Sequence, residues 1–241
     1  MSSENTGTLY LLPNTLGESA PDSVIPAAVL ERARTLDYFI AENPKTARAF
    51  LKRIGTAAPL QQIRIERLDH NTPAENVAEL LAPVLAGRSA GLLSEAGLPA
   101  IADPGAELVR CAHERGLRVV PLSGPSSIML SLAASGLNGQ RFVFHGYLPV
   151  EEAKLAAALK DMERHSHRLD QTQIFIETPY RNERTLAAML RALDPATLVC
   201  LAVDLTLESE SVHTRTVAQW RKQPPRLKQR PAVFLFLAPR G

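Results

Sequence analysis

Short apolar runs rich in branched and aromatic side chains recur along the first half of the chain. Each is followed by a turn and a longer stretch in which apolar positions return every three or four residues. That alternation predicts an α/β fold, with strands at Thr8–Leu12, Tyr38–Ala41, Ile63–Leu68, Ala90–Ser94 and Arg118–Val120 joined by crossover helices. Helix starts are expected at Asn43-Pro44, Thr72-Pro73 and Asp103-Pro104, where a capping residue precedes a proline whose missing N–H costs nothing in the first turn. Thr72 and Glu75 have capping-box spacing, and Gly55, Gly87 and Gly116 stand where left-handed caps end helices.

Beyond Ser123-Gly124-Pro125 the spacing loosens. A small-residue helix to about Ser135, a short strand Phe142–Phe144 and a helix near Glu151–Arg164 are expected there. Further strands follow at Gln173–Glu177, Leu198–Val203, near Val212 and at Ala232–Leu237, with room for hairpins. The fold class is therefore two α/β domains, 1–122 and 123–241, with a mostly parallel N-terminal sheet and a mixed C-terminal one.

Composition narrows the class. Among 241 residues, 45% are hydrophobic and 22% charged, which excludes a disordered, collagenous or coiled-coil chain. Lys and Arg outnumber Asp and Glu by 27 to 25, so any basic surface must be local. Cys111 and Cys200 lie in apolar surroundings without Cys/His clustering, so no disulfide framework or metal site is expected, and a reducing cytoplasm fits. The polar start Met1–Asn5 and the lack of any long apolar run argue against export and membrane insertion.

Two loops hold the candidate chemistry. Ser94–Gly105 runs from an expected buried strand to a capped helix, and its small residues let a ligand approach the backbone beyond a strand's carboxyl end. Gly97 and Pro99 also suit a tight strand-to-helix connection and nothing more. Pro121–Ser127 places backbone N–H groups and two serine hydroxyls at a helix start, where capping is the plainer use. The first turn, Pro13–Gly17, is neither a dinucleotide nor a nucleoside-triphosphate fingerprint.

The run from Gly91 to Pro149, with Leu93-Ser94-Glu95-Ala96-Gly97-Leu98-Pro99, Ala102-Asp103-Pro104-Gly105, Pro121-Leu122-Ser123-Gly124-Pro125-Ser126 and Phe144-His145-Gly146-Tyr147-Leu148-Pro149, resembles the tetrapyrrole methylase family of class III S-adenosylmethionine-dependent methyltransferases. Within the family it looks most like the branch that methylates a ribose 2′-oxygen of small-subunit ribosomal RNA. Ala41-Glu42, His70-Asn71, Glu177-Thr178-Pro179-Tyr180-Arg181 and Leu205-Thr206 extend the likeness. It departs from that branch at Asn14-Thr15-Leu16, at Asn43-Pro44-Lys45, at Leu207 and at Arg230-Pro231-Ala232.

The resemblance implies a cofactor cleft between the two domains, a homodimer, and S-adenosylmethionine contacts from Leu16, Glu95, Ala96, Gly97, Ala100, Ser126, Ser127, Glu177 and Thr206, several through backbone atoms. A ribose hydroxyl is a poor nucleophile that benefits from a base, and Glu42 and His70, each just past an expected strand, are the catalytic candidates. His70 also suits a structural hydrogen bond, and Glu177 could orient cofactor or acceptor. Arg215, Arg221, Lys222, Arg226, Lys228, Arg230 and Arg240, with Lys45, Arg48, Lys52 and Arg53, either meet RNA phosphates or form solvated faces. Trp220 among them either stacks on a base or packs in the core. Methylation of a tetrapyrrole carbon, and cofactor binding without catalysis, are the rival readings.

Overall fold

The computed structural model describes residues 6–227 and 229–239, with the side chain of Ala74 left out of the description. Lys228 and Arg240, two of the basic residues named above, and the Met1–Asn5 start lie outside the described residues. The chain divides into two compact units, Met1–Ser126 and Ser127–Gly241.

The first unit is built on five strands, β1 (Thr8–Leu12), β2 (Tyr38–Ala41), β3 (Arg64–Arg67), β4 (Ala90–Leu93) and β5 (Arg118–Pro121). They lie in the order β3-β2-β4-β1-β5, and every pairing is parallel, so the sheet is wholly rather than mostly parallel. The central strands β2 and β4 are buried at every position, as a sheet covered on both faces requires. Around them run α1 (Pro21–Val24), α2 (Ala27–Arg34), α3 (Pro44–Ile54), α4 (Ala74–Glu79), α5 (Ala82–Leu85) and α6 (Ala106–Glu114). One core gathers Phe39, Phe50, Leu51 and Leu93 on one face of the sheet, and another gathers Tyr38, Ile40, Leu81, Leu92 and Leu108.

Of the three expected caps, one forms. Asn43 caps α3 by accepting a hydrogen bond from Lys45 N at 3.0 Å. Thr72 does not cap α4, whose N-cap is Pro73; its hydroxyl accepts the amide of Asp69 at 2.9 Å and closes a local turn instead. Asp103 does not cap α6 either, because the chain curls for two more residues and the helix opens after Gly105, at φ 136°.

The second unit holds β6 (Phe142–Tyr147), β7 (Thr172–Ile176), β8 (Leu198–Val203), β9 (Ser211–Thr216) and β10 (Ala232–Leu237), ordered β6-β7-β10-β8-β9. Only β6 and β7 run parallel; β10 is antiparallel to both neighbours, and β8 and β9 form a hairpin. β6 runs three residues past its expected end, with a register shift after Phe144. Its helices are α7 (Ser127–Ser135), α8 (Glu152–Leu169), α9 (Asn182–Ala192) and α10 (Val217–Lys222). Phe175 and Phe234 stack at 5.1 Å across the central pair β7 and β10, in a core that includes Leu159, Met189 and Trp220.

Trp220 is therefore a core residue, not a stacking platform: it is 3% exposed and donates its indole N–H to the Val199 carbonyl at 2.9 Å. Arg221 is likewise committed, donating to the carbonyls of Leu190 (2.6 Å) and Leu193 (3.1 Å) at the end of α9, the role a cation has at a helix C-terminus.

At the middle of the parallel sheet, Gly91 faces Tyr10 and Phe39 in register, and a Cβ there would sit 2.4 Å from Leu12 Cδ1 and 2.8 Å from Phe39 Cδ1. Gly91→Ala is expected to destabilise the protein by about 2 kcal/mol, the cost of overpacking a dense core, with Gly91→Val worse. Denaturant melts of the two variants measure it; a shift under about 0.5 kcal/mol for both would contradict the packing.

Candidate functional site

A parallel sheet brings all its carboxyl ends to one edge, so the turns after β1, β2, β4 and β5 are neighbours by construction. Asn14, 6% exposed, joins the first to the third. Its backbone exchanges two hydrogen bonds with Gly97, at 2.8 and 3.2 Å, and its side-chain amide donates to the carbonyls of Ser94 (3.1 Å) and Glu95 (3.0 Å). Its side-chain oxygen accepts from Thr15 N at 2.8 Å, and the Ser94 hydroxyl donates to Ala96 and Gly97 carbonyls from below.

The turn after β5 packs onto the same group, since a Cβ on Gly124 would lie 2.2 Å from Pro13 Cβ. Gly97 itself sits at φ 69°, and a side chain there would press on Leu16 at 3.2 Å and face the Pro125 carbonyl at 3.5 Å. Two alanines farther along, Ala100 and Ala102, adopt φ 64°, a conformation that costs a residue with a Cβ energy and that clusters at binding sites. Leu16, Glu95, Ala96, Gly97 and Ala100 thus lie on two turns that Asn14 ties together.

Acidic groups gather beside these turns. Glu95 Oε1 accepts from the Asn43 amide and the Thr46 hydroxyl, both at 3.2 Å. Burial pushes the Asp103 carboxyl up to about 6, with the negative charges of Glu42 and Glu95 adding to the effect. Burial also raises Glu42, helped by Glu95 and opposed by the nearby His70. Glu42 and His70 follow the neighbouring parallel strands β2 and β3, and His70 is exposed. Asp103 was expected to be a cap. Its titration near neutral pH depends on how the loop folds it back toward Glu42, which residue order does not show.

In the second unit, Glu177 follows β7 and is 6% exposed, with its carboxylate fully engaged. It accepts from Thr178 N at 2.7 Å, the Thr178 hydroxyl at 3.2 Å and the Thr185 hydroxyl at 3.3 Å, and pairs with Arg181 at 2.8 Å. Its side chain holds the loop, and the backbone is what remains for a ligand. Thr206, after β8, has φ 71°, unusual for a β-branched residue. Its amide donates to Glu210 Oε2 at 2.7 Å, while its buried hydroxyl has no hydrogen-bond partner among the described residues. Ser126 is buried and Ser127 opens α7.

Residues 22–220 match the Tetrapyrrole (Corrin/Porphyrin) Methylases. The chain belongs to this family. It is a methyltransferase dependent on S-adenosylmethionine. It is similar to the protein named Ribosomal RNA small subunit methyltransferase I from Escherichia coli O157:H7, 34% identical over 92% of this chain and 75% of the relative. The protein of the same name from Streptococcus pyogenes serotype M6 is 35% identical over 78% of this chain, which spans 61% of that relative's length. Among solved structures, the methyltransferase CobJ superposes with a TM-score of 0.60 at 15% identity, covering 97% of this chain and 100% of CobJ, a likeness of fold.

The site residues of this family member suit a folded nucleoside with an amino-acid tail. In the first unit the 97–102 turn carries Gly97, Ala100 and Ala102 at positive φ with little side chain over the backbone; in the second, the buried Thr206 hydroxyl has no hydrogen-bond partner among the described residues. Among the described residues no group of three or more His, Cys, Asp and Glu is arranged to hold a metal.

Because its folded-state pKa is raised, Asp103 favours the protonated fold: stability falls as pH climbs from the ordinary carboxylate range through about 6, then levels. Asp103→Asn is accordingly expected to stabilise the protein by about 1 kcal/mol at pH 8, after discounting for solvent screening, with the gain vanishing toward pH 4. Thermal melts across that range check the sign.

Proposed function

We propose that this methyltransferase modifies ribosomal RNA at a ribose 2′-hydroxyl. The observation that carries this reading is the 34% identity to the Escherichia coli protein named for small-subunit ribosomal RNA, which extends over 92% of the chain. S-adenosylmethionine supplies an electrophilic methyl on a sulfonium. The protein must hold the acceptor oxygen in line with it, exclude water and take a proton.

Leu16, Glu95, Ala96, Gly97, Ala100, Ser126, Ser127, Glu177 and Thr206 are proposed to bind the cofactor, mostly through backbone atoms. Glu42, His70 and Asp103 are proposed as the proton-handling group. A carboxyl raised to about 6 is well matched to accepting a hydroxyl proton near neutral pH, which favours Asp103, with Glu42 setting its basicity. The tetrapyrrole-carbon reading has behind it the family's description and a fold likeness, at 18% identity, to a uroporphyrin-III-C-methyltransferase from Thermus thermophilus.

Of the basic residues, Arg221 is used up on α9, Arg230 pairs with Asp204 at 2.7 Å, and Arg215 lies 4.8 Å over the Trp220 ring. On α3, Arg48 donates to the Leu60 carbonyl and Arg53 to that of Ser19. Lys45 and Lys52 are exposed on the same helix, seven residues apart and so on one face. These two lysines, not Arg221, are proposed to meet RNA phosphates.

A homodimer is also proposed. α7 buries Ser131 and Ser135 and exposes Met129 and Leu130, 46% and 38%, together with Ala133 and Ala134, an apolar face on a helix without any charge. No described helix is long and apolar enough to cross a membrane, and a cytoplasmic location is proposed with the ribosomal substrate.

Labelled methyl from S-adenosylmethionine is expected in ribosomal RNA from a strain lacking this protein. An unlabelled RNA pool overturns the substrate. In the same assay Lys45→Ala with Lys52→Ala should weaken RNA binding and flatten its salt dependence by about one to two ions. Leu130→Glu is expected to shift the protein to half its mass in light scattering; an unchanged mass would remove α7 from any dimer contact.

A further inference from the structure

The second unit's sheet order places β10 between β7 and β8, antiparallel to both, so the carboxyl ends of those two strands flank the start of β10. Val203 pairs with Ala232, and Ile176 with Val233. The residue just before β10 therefore lies within reach of both strand-end loops, the one beginning at Glu177 and the one beginning at Asp204. That residue is Pro231, and Arg230 immediately precedes it.

Arg230 bonds to both. Its guanidinium donates to Asp204 Oδ2 from Nε at 2.7 Å and to the Ser209 carbonyl from Nη2 at 2.5 Å, gripping the two ends of the 204–209 turn in one planar fork. Asp204 is 7% exposed; its Oδ2 also accepts the Ser209 hydroxyl at 2.7 Å, and its amide donates to the Pro231 carbonyl at 3.0 Å. In the other direction, the Arg230 carbonyl accepts the side-chain amide of Asn182, a fully buried residue one position past the Glu177–Arg181 loop, at 2.7 Å. Between the ends of the gripped turn, Thr206 is held at φ 71° with its hydroxyl buried and without a hydrogen-bond partner among the described residues.

We infer that Arg230 is a positioning residue for the cofactor: its side chain fixes the Asp204–Ser209 turn that presents Thr206, while its carbonyl fixes the start of α9 behind the Glu177 loop. This rests on the proposed cofactor role of Thr206 and Glu177. A left-handed β-branched residue keeps its strain only where surrounding bonds over-determine it; Glu210 holds the Thr206 amide, and Arg230 and Asp204 hold the ends of the turn around it. Removing the fork relaxes Thr206 and weakens cofactor binding without dismantling the sheet, since the β10 pairings do not involve the guanidinium.

The test is calorimetry with S-adenosylhomocysteine on the full chain, comparing the unsubstituted protein with Arg230→Gln, Arg230→Lys and, as a charge-matched control, Arg191→Gln. Arg191 pairs with Glu152 on the surface, away from these loops. Arg230→Gln is expected to weaken binding about tenfold with its melting temperature within a few degrees. Arg230→Lys, which keeps the charge but not the fork, should fall in between, and Arg191→Gln should match the unsubstituted protein. In turnover, KM for S-adenosylmethionine should rise while kcat at saturation is kept.

If Arg230→Gln fails to fold, Arg230→Lys decides. Affinities for both Arg230 variants within twofold of the control overturn the assignment, and so does an affinity loss that merely tracks a collapsed melting temperature. Absence of binding by the unsubstituted protein overturns the cofactor reading itself, a result distinct from normal binding by every variant.

Discussion

One amide side chain organises the carboxyl edge of the first unit's sheet. β1 lies between β4 and β5, so its closing turn meets both neighbours' turns: Asn14 bonds the turn after β4, and Pro13 packs against Gly124 in the turn after β5. The Asn14 amide donates twice and accepts once in a buried setting, where each unmade bond is costly. An aspartate in its place could not donate to the Ser94 and Glu95 carbonyls, and a leucine could make none of the bonds. With the first turn fixed to the third, Gly97 can hold its left-handed geometry, Gly124 can close on Pro13, and the acidic loop that follows has a rigid base.

The second unit solves the same problem with charges instead of an amide. Glu177 and Asp204 stand at equivalent places, each at the end of a strand flanking β10, each buried, and each with its own arginine. Buried pairs of this kind add little net stability, because desolvation offsets attraction. What they do supply is a single loop geometry, since displacing either arginine leaves an uncompensated carboxylate inside the protein. Part of the basic character of the C-terminal stretch is thus used within the unit: Arg215, Arg221 and Arg230 all serve neighbours there, while Lys222 and Arg226 are exposed.

The strands at Thr8–Leu12, Tyr38–Ala41, Leu198–Val203 and Ala232–Leu237 were legible to the residue, because interior strands of a sheet read as short, mostly apolar runs that stop at a proline or a polar residue. Helix starts were less so. Asn43-Pro44 and Asp103-Pro104 are written alike, yet only the first caps its helix, since the second belongs to a loop whose curl through Ala100, Ala102 and Gly105 is set by tertiary contacts with Leu92. The turns that make up the candidate site were visible as small-residue segments past strands, and the charge of His70 acts on Glu42. Asp103 was hidden because a pKa reports its surroundings, and Arg221 because a charge on a polar stretch reads the same whether it faces water or a helix terminus.

Trp220 is the sole tryptophan of the chain, and it lies in the second unit beneath Arg215, with its indole N–H on a β8 carbonyl. Its emission is accordingly an optical reporter of that unit alone, quenched or red-shifted when α10 leaves the sheet and silent about events at Asn14. The four tyrosines are split, Tyr10 and Tyr38 in the first unit and Tyr147 and Tyr180 in the second. Fluorescence and far-ultraviolet dichroism recorded on one sample would therefore tell whether the two units come apart together or in sequence.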